Sequence, residues 1–374
     1  MKFLPMPALG FSFWLMAGGV FAGQFNLGAQ YQSWTTNFIS PLQGHEFLVP
    51  MSLSIDSIQD VQLYAQGEFA DAQYTDPING TQNLSDFSDT VAGGEIGFKS
   101  FGFDSFVNLA FNLPTGNQAW EIETADANIP TEFVDSRYQG RGFGLSGIYG
   151  LALPDGPTQY GLGVGYLYSG ALNPNFGAGL PSENLKLGDS IFLSANRATT
   201  FTSNQTQTIS ASAYIFLPSL QAGQNFIWMG PNLNLSYSWV DLTAFSFEAG
   251  VQYFLPAQMA FNGQWVAESH DSLGTRFYLN PAWAFGNFVL AGEVKVVLAN
   301  GYDPSPSDTL YDGGGLLLGL DPSYKFTLDK LSAIKVSASY DNITANGAAA
   351  DSQGNRVNVI YNYWTVGADY EITL

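Results

Sequence analysis

The chain has 374 residues, of which 15% are aromatic and only 12% charged, with a net charge of −20 and no cysteine. A soluble domain usually carries about 25% charged residues, so the composition argues against an ordinary soluble protein. The acidity argues against nucleic-acid binding, and the absence of cysteine excludes disulfides, thiolate metal sites and cysteine nucleophiles.

Lys2 is the only charged residue before Glu46. An apolar stretch follows from Phe3 to Phe21, broken by Pro5, Pro7, Gly10 and Gly18-Gly19, and Val20 and Ala22 occupy the −3 and −1 positions of a cleavage after Ala22. This is the charge, apolar segment and small-residue site of a secretory signal. The expected organisation is a signal peptide over residues 1–22 and one domain over 23–374. Removing Lys2 makes the remainder one unit more negative. Beyond the signal no apolar run approaches the roughly 20 residues that a spanning helix needs. Strands that alternate apolar-out and polar-in resolve the conflict between high apolarity and short apolar runs.

That alternation recurs along the chain. Phe25, Leu27, Ala29 and Tyr31 alternate with Gln24, Asn26 and Gln30; Val61, Leu63, Ala65 and Phe69 with Gln62, Gln66 and Glu68. Val107, Leu109 and Phe111 enclose Asn108, and Leu233, Leu235, Tyr237 and Trp239 enclose Asn234, Ser236 and Ser238. Ile334, Val336, Ala338 and Tyr340 enclose Lys335, Ser337 and Ser339. The pattern predicts sixteen strands near 24–34, 45–55, 60–69, 90–99, 103–113, 142–153, 158–168, 189–200, 206–216, 226–239, 243–254, 274–285, 287–298, 314–327, 331–341 and 358–374. Alternation fades over Asn196–Gln207, and one crossing instead of three between Asp189 and Trp239 would give fourteen. Connections alternate short (Lys99–Asp104, Pro154–Pro157, Leu328–Leu331) and long (Ala70–Thr90, Pro114–Gly140, Asn342–Gln353). The expected fold is therefore an all-β, closed antiparallel transmembrane barrel of about 16 strands with both termini periplasmic.

Charges take the polar side of the alternation. Glu68, Glu248, Arg276, Glu293, Lys295 and Lys335 all fall opposite the apolar residues of their strands and are the lumen-facing candidates. Arg or Lys on the lipid face at mid-depth would cost about 2–4 kcal/mol. Their concentration between residues 243 and 341 suggests a wall of mixed charge beside an uncharged one, serving either selectivity or a stiffening ion-pair network. In the acidic stretch from Glu121 to Asp135, Asp126 and Asn128 resemble the first two ligands of a calcium loop. Pro130, Thr131 and Arg137 depart from its later positions, so no metal or other cofactor is expected. His45 and His270 are the only histidines, and Ser269, His270 and Asp271 are adjacent in sequence, where extended neighbours point apart. No catalytic constellation is found, and the chain is not read as an enzyme.

In the last strand Thr365, Gly367, Tyr370 and Ile372 fit polar-x-Gly-x-x-aromatic-x-hydrophobic, with an apolar face running from Trp364 to Leu374. This resembles the C-terminal signal by which barrel-assembly machinery recognises outer-membrane proteins, with Leu374 in place of the usual Phe.

Four further patches carry a family resemblance. They are Val49-Pro50-Met51-Ser52-Leu53-Ser54, Leu84-Ser85-Asp86-Phe87-Ser88-Asp89-Thr90, Phe111-Asn112-Leu113-Pro114-Thr115-Gly116 and Leu187-Gly188-Asp189-Ser190. In this order they are similar to outer-membrane transporters of the MetA-pathway phenol-degradation type, distant relatives of the fatty-acid outer-membrane transporters. The resemblance implies passive uptake of small, often hydrophobic compounds. It carries no settled ligand residues. One departure is that strand one begins almost at the cleavage site, leaving no room for the fatty-acid transporters' N-terminal plug.

The expected function is a channel in the cell outer membrane for passive diffusion of small solutes through the lumen; barrels of 16–18 strands leave an aqueous channel. The expected partners are outer-membrane lipid, lipopolysaccharide, the barrel-assembly machinery and the solute. The alternative is a structural or partner-binding barrel with an occupied lumen, which a lumen packed with aromatics would favour. A barrel hydrolase comes third.

Overall fold

The computed structural model describes residues 22–37, 43–58, 60–76, 80–116, 142–172, 185–186, 188–225, 227–228, 230–241, 244–255, 258–270, 273–300, 314–350 and 356–373. All regular structure among them is strand. Sixteen crossings build the wall. They are β1 (Ala22–Thr36), β2 (Gln43–Ile58), β3 (Val61–Asp76) and β4, a crossing in two segments (Gly80–Phe87 and Thr90–Ser100). Then come β5 (Phe103–Leu113), β6 (Gly144–Asp155), β7 (Thr158–Ser169) and β8 (Ser190–Thr202). Next are β9 (Gln205–Phe216), β10 (Asn232–Asp241), β11 (Phe245–Phe254) and β12 (Leu273–Phe285). The last four are β13 (Phe288–Asn300), β14 (Gly315–Thr327), β15 (Ser332–Ala350) and β16 (Arg356–Thr373).

Each strand pairs antiparallel with its neighbours in sequence, and β16 returns to β1 from Gln24↔Thr373 to Thr36↔Tyr361, closing the barrel without an edge. The first and last strands start and end beside the short turns, since Ala22 pairs with Asp56 and Gln24 with Thr373. The region of fading alternation resolves into β8, a tight turn at Ser203–Asn204 and β9, paired from Thr202↔Gln205 to Ser190↔Phe216. The count is therefore sixteen and not fourteen.

The outward face is apolar. Leu63 (49% exposed), Leu109 (47%), Leu162 (50%), Leu235 (53%), Leu320 (51%) and Trp364 (59%) all lie on it. In a closed barrel such a belt has no partner within the chain and fits a hydrocarbon surround. The shortest crossings, β10 and β11, have 10 residues each. At about 3.4 Å per residue and a tilt near 40° this spans roughly 26 Å, the height of an apolar membrane band.

Two expected loops are in part strand. Val61–Asp76 continues past Ala70 and pairs with Gly80–Phe87 from Phe69↔Phe87 to Asp76↔Gly80. β15 and β16 also stay paired to Ala350↔Arg356. These extensions are mostly polar or small on both faces because they rise beyond the apolar belt, so no period of two marks them. The expected strand 226–239 is split: Ile227–Trp228 belongs to a three-stranded rim sheet with Gln258–Phe261 and Gln264–His270, and the wall resumes at Asn232 after Pro231. Proline cannot donate to the ladder. A second rim sheet joins Ala171–Leu172, Leu185–Lys186, Leu220–Gln221 and Gln224–Asn225.

Candidate channel interior

Because side chains alternate across a strand, the exposed outward residues fix which residues point inward. Glu68, Glu248, Arg276, Glu293, Lys295 and Lys335 all lie on the inward side of their strands. The registers Glu248↔Asn280, Gly250↔Tyr278, Glu293↔Gly319 and Lys335↔Asp369 place them beside other inward residues. They do not form one cluster. Glu293 and Lys295 pair at 2.7 Å, with side chains 34% and 23% exposed. Glu68 and Arg276 are buried at 8% exposure each. Arg276 Nη1 donates to Gln252 Oε1 at 3.0 Å, and its guanidinium lies 5.1 Å from the Phe254 ring centroid.

Two inward tyrosines are seated alike on glycines, one bonded to a carboxylate directly and the other through an asparagine. Tyr278, on β12, lies across Gly250 of β11, where any Cβ would strike its ring. Its hydroxyl lies 3.2 Å from Glu248 Oε1 and 3.4 Å from Asn234 Oδ1 of β10. Tyr64, on β3, lies across Gly93 of β4 in the same way and donates to Asn108 Oδ1 of β5 at 3.1 Å, while Asn108 Nδ2 donates to Glu95 Oε2 at 3.4 Å. Glycine is needed at both seats because the tyrosine occupies the space of a side chain.

Sequence reasoning missed further inward acids, among them Glu95, Asp321, Asp341 and Asp369. Each was legible, since the apolar neighbours Ile96, Leu320, Tyr340 and Ala368 set their parity. Asp341 lies over Gly319 beside Glu293, and Asp369 over Gly28. Near the short turns Lys325 pairs with Glu371.

Towards the long connections the inward face is apolar on one side. Trp34 (8% exposed) stacks on Tyr363 (6%) at 6.0 Å, and Leu48 (2%), Leu317 (2%), Ile343 (1%) and Tyr361 (2%) are buried inward residues of the same run of strands, β14 to β2. On the other side Ile148 and Phe192 are buried at 5% each, with Phe192 4.9 Å from Tyr214.

Two of the family-like patches meet at the rim. Ser88-Asp89 interrupts β4, and Pro114-Thr115-Gly116 ends β5. Asn112 Nδ2 donates to Asp89 Oδ2 at 2.6 Å, Gly116 N to Asp89 Oδ1 at 3.0 Å and Thr90 N to Thr115 Oγ1 at 2.8 Å. Asp189, just before β8, accepts from Tyr166 at 2.5 Å and from Ser169 N at 3.0 Å, with Lys186 at 3.3 Å. Burial alone would raise the Asp189 pKa, but these hydrogen bonds and the Lys186 charge outweigh it and hold the carboxyl below the usual value.

Of the terminal-strand residues, Thr365 and Gly367 point inward, and Tyr370 and Ile372 outward, opposite Leu27 and Phe25. Asp126, Asn128 and residues 1–21 lie outside the described residues. His45 is exposed, with its ring 6.0 Å from that of Tyr31. Among the described residues no group of acids and histidines could hold a metal ion.

The fold and interior define a closed, sixteen-stranded membrane-type barrel with a polar lower lumen. No family model matches the chain, and no curated protein does. Among solved structures it is similar to OprD from Pseudomonas aeruginosa, at 9% identity over 94% of this chain and 95% of that one, with a TM-score of 0.46. It is similar to OccK7 (OpdD) from the same organism, at 11% identity over 95% and 100%, with a TM-score of 0.44. It is also similar to an outer membrane channel from Pseudomonas putida F1, at 9% identity over 72% and 97%, with a TM-score of 0.41.

Proposed function

We propose that the chain is an outer-membrane channel that passes small solutes by passive diffusion. The observation that carries this reading is the combination of a closed sixteen-stranded wall, an apolar outward belt and a lumen whose inward face bears Ser, Asn, Gln and paired charges. Sixteen strands leave room for water inside, and an apolar belt on a closed barrel suits the outer membrane of a Gram-negative cell. The short-turn end, with both chain termini, is taken as periplasmic. Residues 1–22 act as the cleaved signal, the C-terminal strand as the assembly signal, and lipopolysaccharide and the barrel-assembly machinery as partners.

The finer assignment is to the MetA-pathway phenol-degradation type. Its support is that the Ser88-Asp89-Thr90 and Asn112-to-Gly116 patches clamp one another, so the two motifs serve one structural purpose. Liposomes carrying the refolded protein should swell in small neutral solutes, and unchanged vesicles with a folded barrel would overturn the channel reading.

The inward aromatic and aliphatic packing around Trp34, Tyr361 and Tyr363 favours a second reading, a barrel whose lumen is occupied and which serves a structural or partner-binding role. The polar, part-exposed wall across β9 to β11 favours the channel.

A further inference from the structure

A residue on the inward face of a closed barrel has the wall behind it. It loses contact with water where neighbouring inward side chains or chain inside the barrel cover it, so a run of adjacent strands without buried residues marks the part of the wall that water reaches. Arg276 on β12 (8% exposed), Leu317 on β14 (2%), Tyr361 on β16 (2%), Leu48 on β2 (2%), Ala70 on β3 (1%) and Phe192 on β8 (5%) are all covered. On β9, β10 and β11 no residue is buried, and these are the only three adjacent crossings of which that holds among the described residues. β4 has none either, but Ala70 on β3 and Ala110 on β5 (9%) flank it.

We propose that the solute path runs off-axis against β9, β10 and β11, that it takes small polar solutes that are neutral or positively charged, and that Glu248 is its specificity-determining residue. The proposal rests on the channel reading and narrows it, away from the hydrophobic cargo that the family resemblance implies.

The chemistry of this wall supports the solute class. Its inward residues include Ser210, Ser212, Asn234, Ser236 and Ser238, placed inside because Ile209, Leu233 and Leu235 are exposed outward at 41%, 45% and 53%. Hydroxyls and amides replace lost hydration for a polar solute and offer an apolar one nothing. None of the three strands contains Lys or Arg. Glu248 is the one carboxylate within the wall's depth, and Asp241 sits at its short-turn end, hydrogen-bonded to Gln205 Nε2 at 2.9 Å. Tyr278, seated on Gly250, fixes the Glu248 carboxylate in place. Arg276 of β12 rests its guanidinium on Gln252 and Phe254 at the long-connection end of this wall, and Glu248 attracts cations and repels anions over the stretch within about 8 Å of it at physiological salt.

The chain has no cysteine, so a single introduced thiol reports its own surroundings. Ser236→Cys is refolded, checked for heat-modifiable mobility and placed in a planar bilayer with a cationic or an anionic methanethiosulfonate reagent. The expected result is a loss of current, with the cationic reagent reacting about tenfold faster and the two rates converging when Glu248→Gln is added. Ala70→Cys should leave the current unchanged. If Ser236→Cys fails to fold, Ser212→Cys takes its place. Current cut by modification of Ala70→Cys but not of Ser236→Cys, or equal reagent rates with Glu248 intact, would overturn this proposal alone. No current from the folded unsubstituted protein would overturn the channel reading and this proposal with it.

Discussion

Asp89 Oδ2 accepts a hydrogen bond from Asn112 Nδ2 at 2.6 Å, joining residues 23 apart in the chain. The contact sits where β4 breaks its pairing with β3, at Ser88-Asp89, and where β5 gives way to its long connection. Asp89 Oδ1 also accepts from Gly116 N at 3.0 Å, and Asn112 donates to the Gly142 carbonyl at 2.5 Å. One carboxylate and one amide thus tie three rim segments together. Asn112→Ala should cost about 1–3 kcal/mol, the range for leaving partners of a charge-assisted bond unmet. In urea titrations followed by heat-modifiable mobility, the Asp89→Ala and Asn112→Ala costs should be less than additive in the double variant. Full additivity would show that the contact contributes nothing as a pair.

Asp189 gives the rim a pH dependence with a definite sign. Its folded pKa is depressed, so its contribution is present above the unfolded carboxylate value of about 3.9 and is lost as pH falls through the lower folded value. The melting midpoint of the protein should therefore fall below about pH 4 by more than that of Asp189→Asn, which should already be less stable at pH 7. Parallel profiles for the two proteins would remove Asp189 as the cause.

The tyrosine seats make a steric prediction. A Cβ at Gly250 would strike the Tyr278 ring, so Gly250→Ala should displace the tyrosine and free the Glu248 carboxylate. Adding Tyr278→Ala should restore the stability lost in Gly250→Ala, since it empties the contested space. If the double variant is no more stable than Gly250→Ala alone, the seat is not what makes glycine necessary.

Most of the wall was legible because lipid on one side and water on the other impose a period of two on every crossing. Leu233, Leu235 and Tyr237 against Asn234 and Ser236 show this plainly. The same cause explains what was hidden. Beyond the belt the outward side carries Asp71, Gln73 and Asn83 where Val61–Asp76 and Gly80–Phe87 pair, so this stretch looks like loop. The parity of the six lumen candidates could be read, whereas the burial of Glu68 and Arg276 depends on what fills the lumen, which no local pattern encodes. The packing of Trp34 on Tyr363 joins strands at opposite ends of the sequence, and the Asp89 clamp joins two patches that looked like separate motifs.

Tyr370 and Ile372 face outward on the strand that closes the barrel against β1. Replacing both with Ala should lower the amount of heat-modifiable barrel recovered from the outer membrane, with intact protein accumulating before insertion. An unchanged yield would leave the terminal strand a structural element without an assembly role.

The most direct test of the central claim is the conductance of the refolded protein in a planar bilayer. The expected result is stepwise channel openings, with a modest preference for potassium over chloride that fades as salt rises, because screening shortens to about 3 Å at 1 M. A folded, inserted barrel that shows no steps, or a current that prefers chloride, would contradict it.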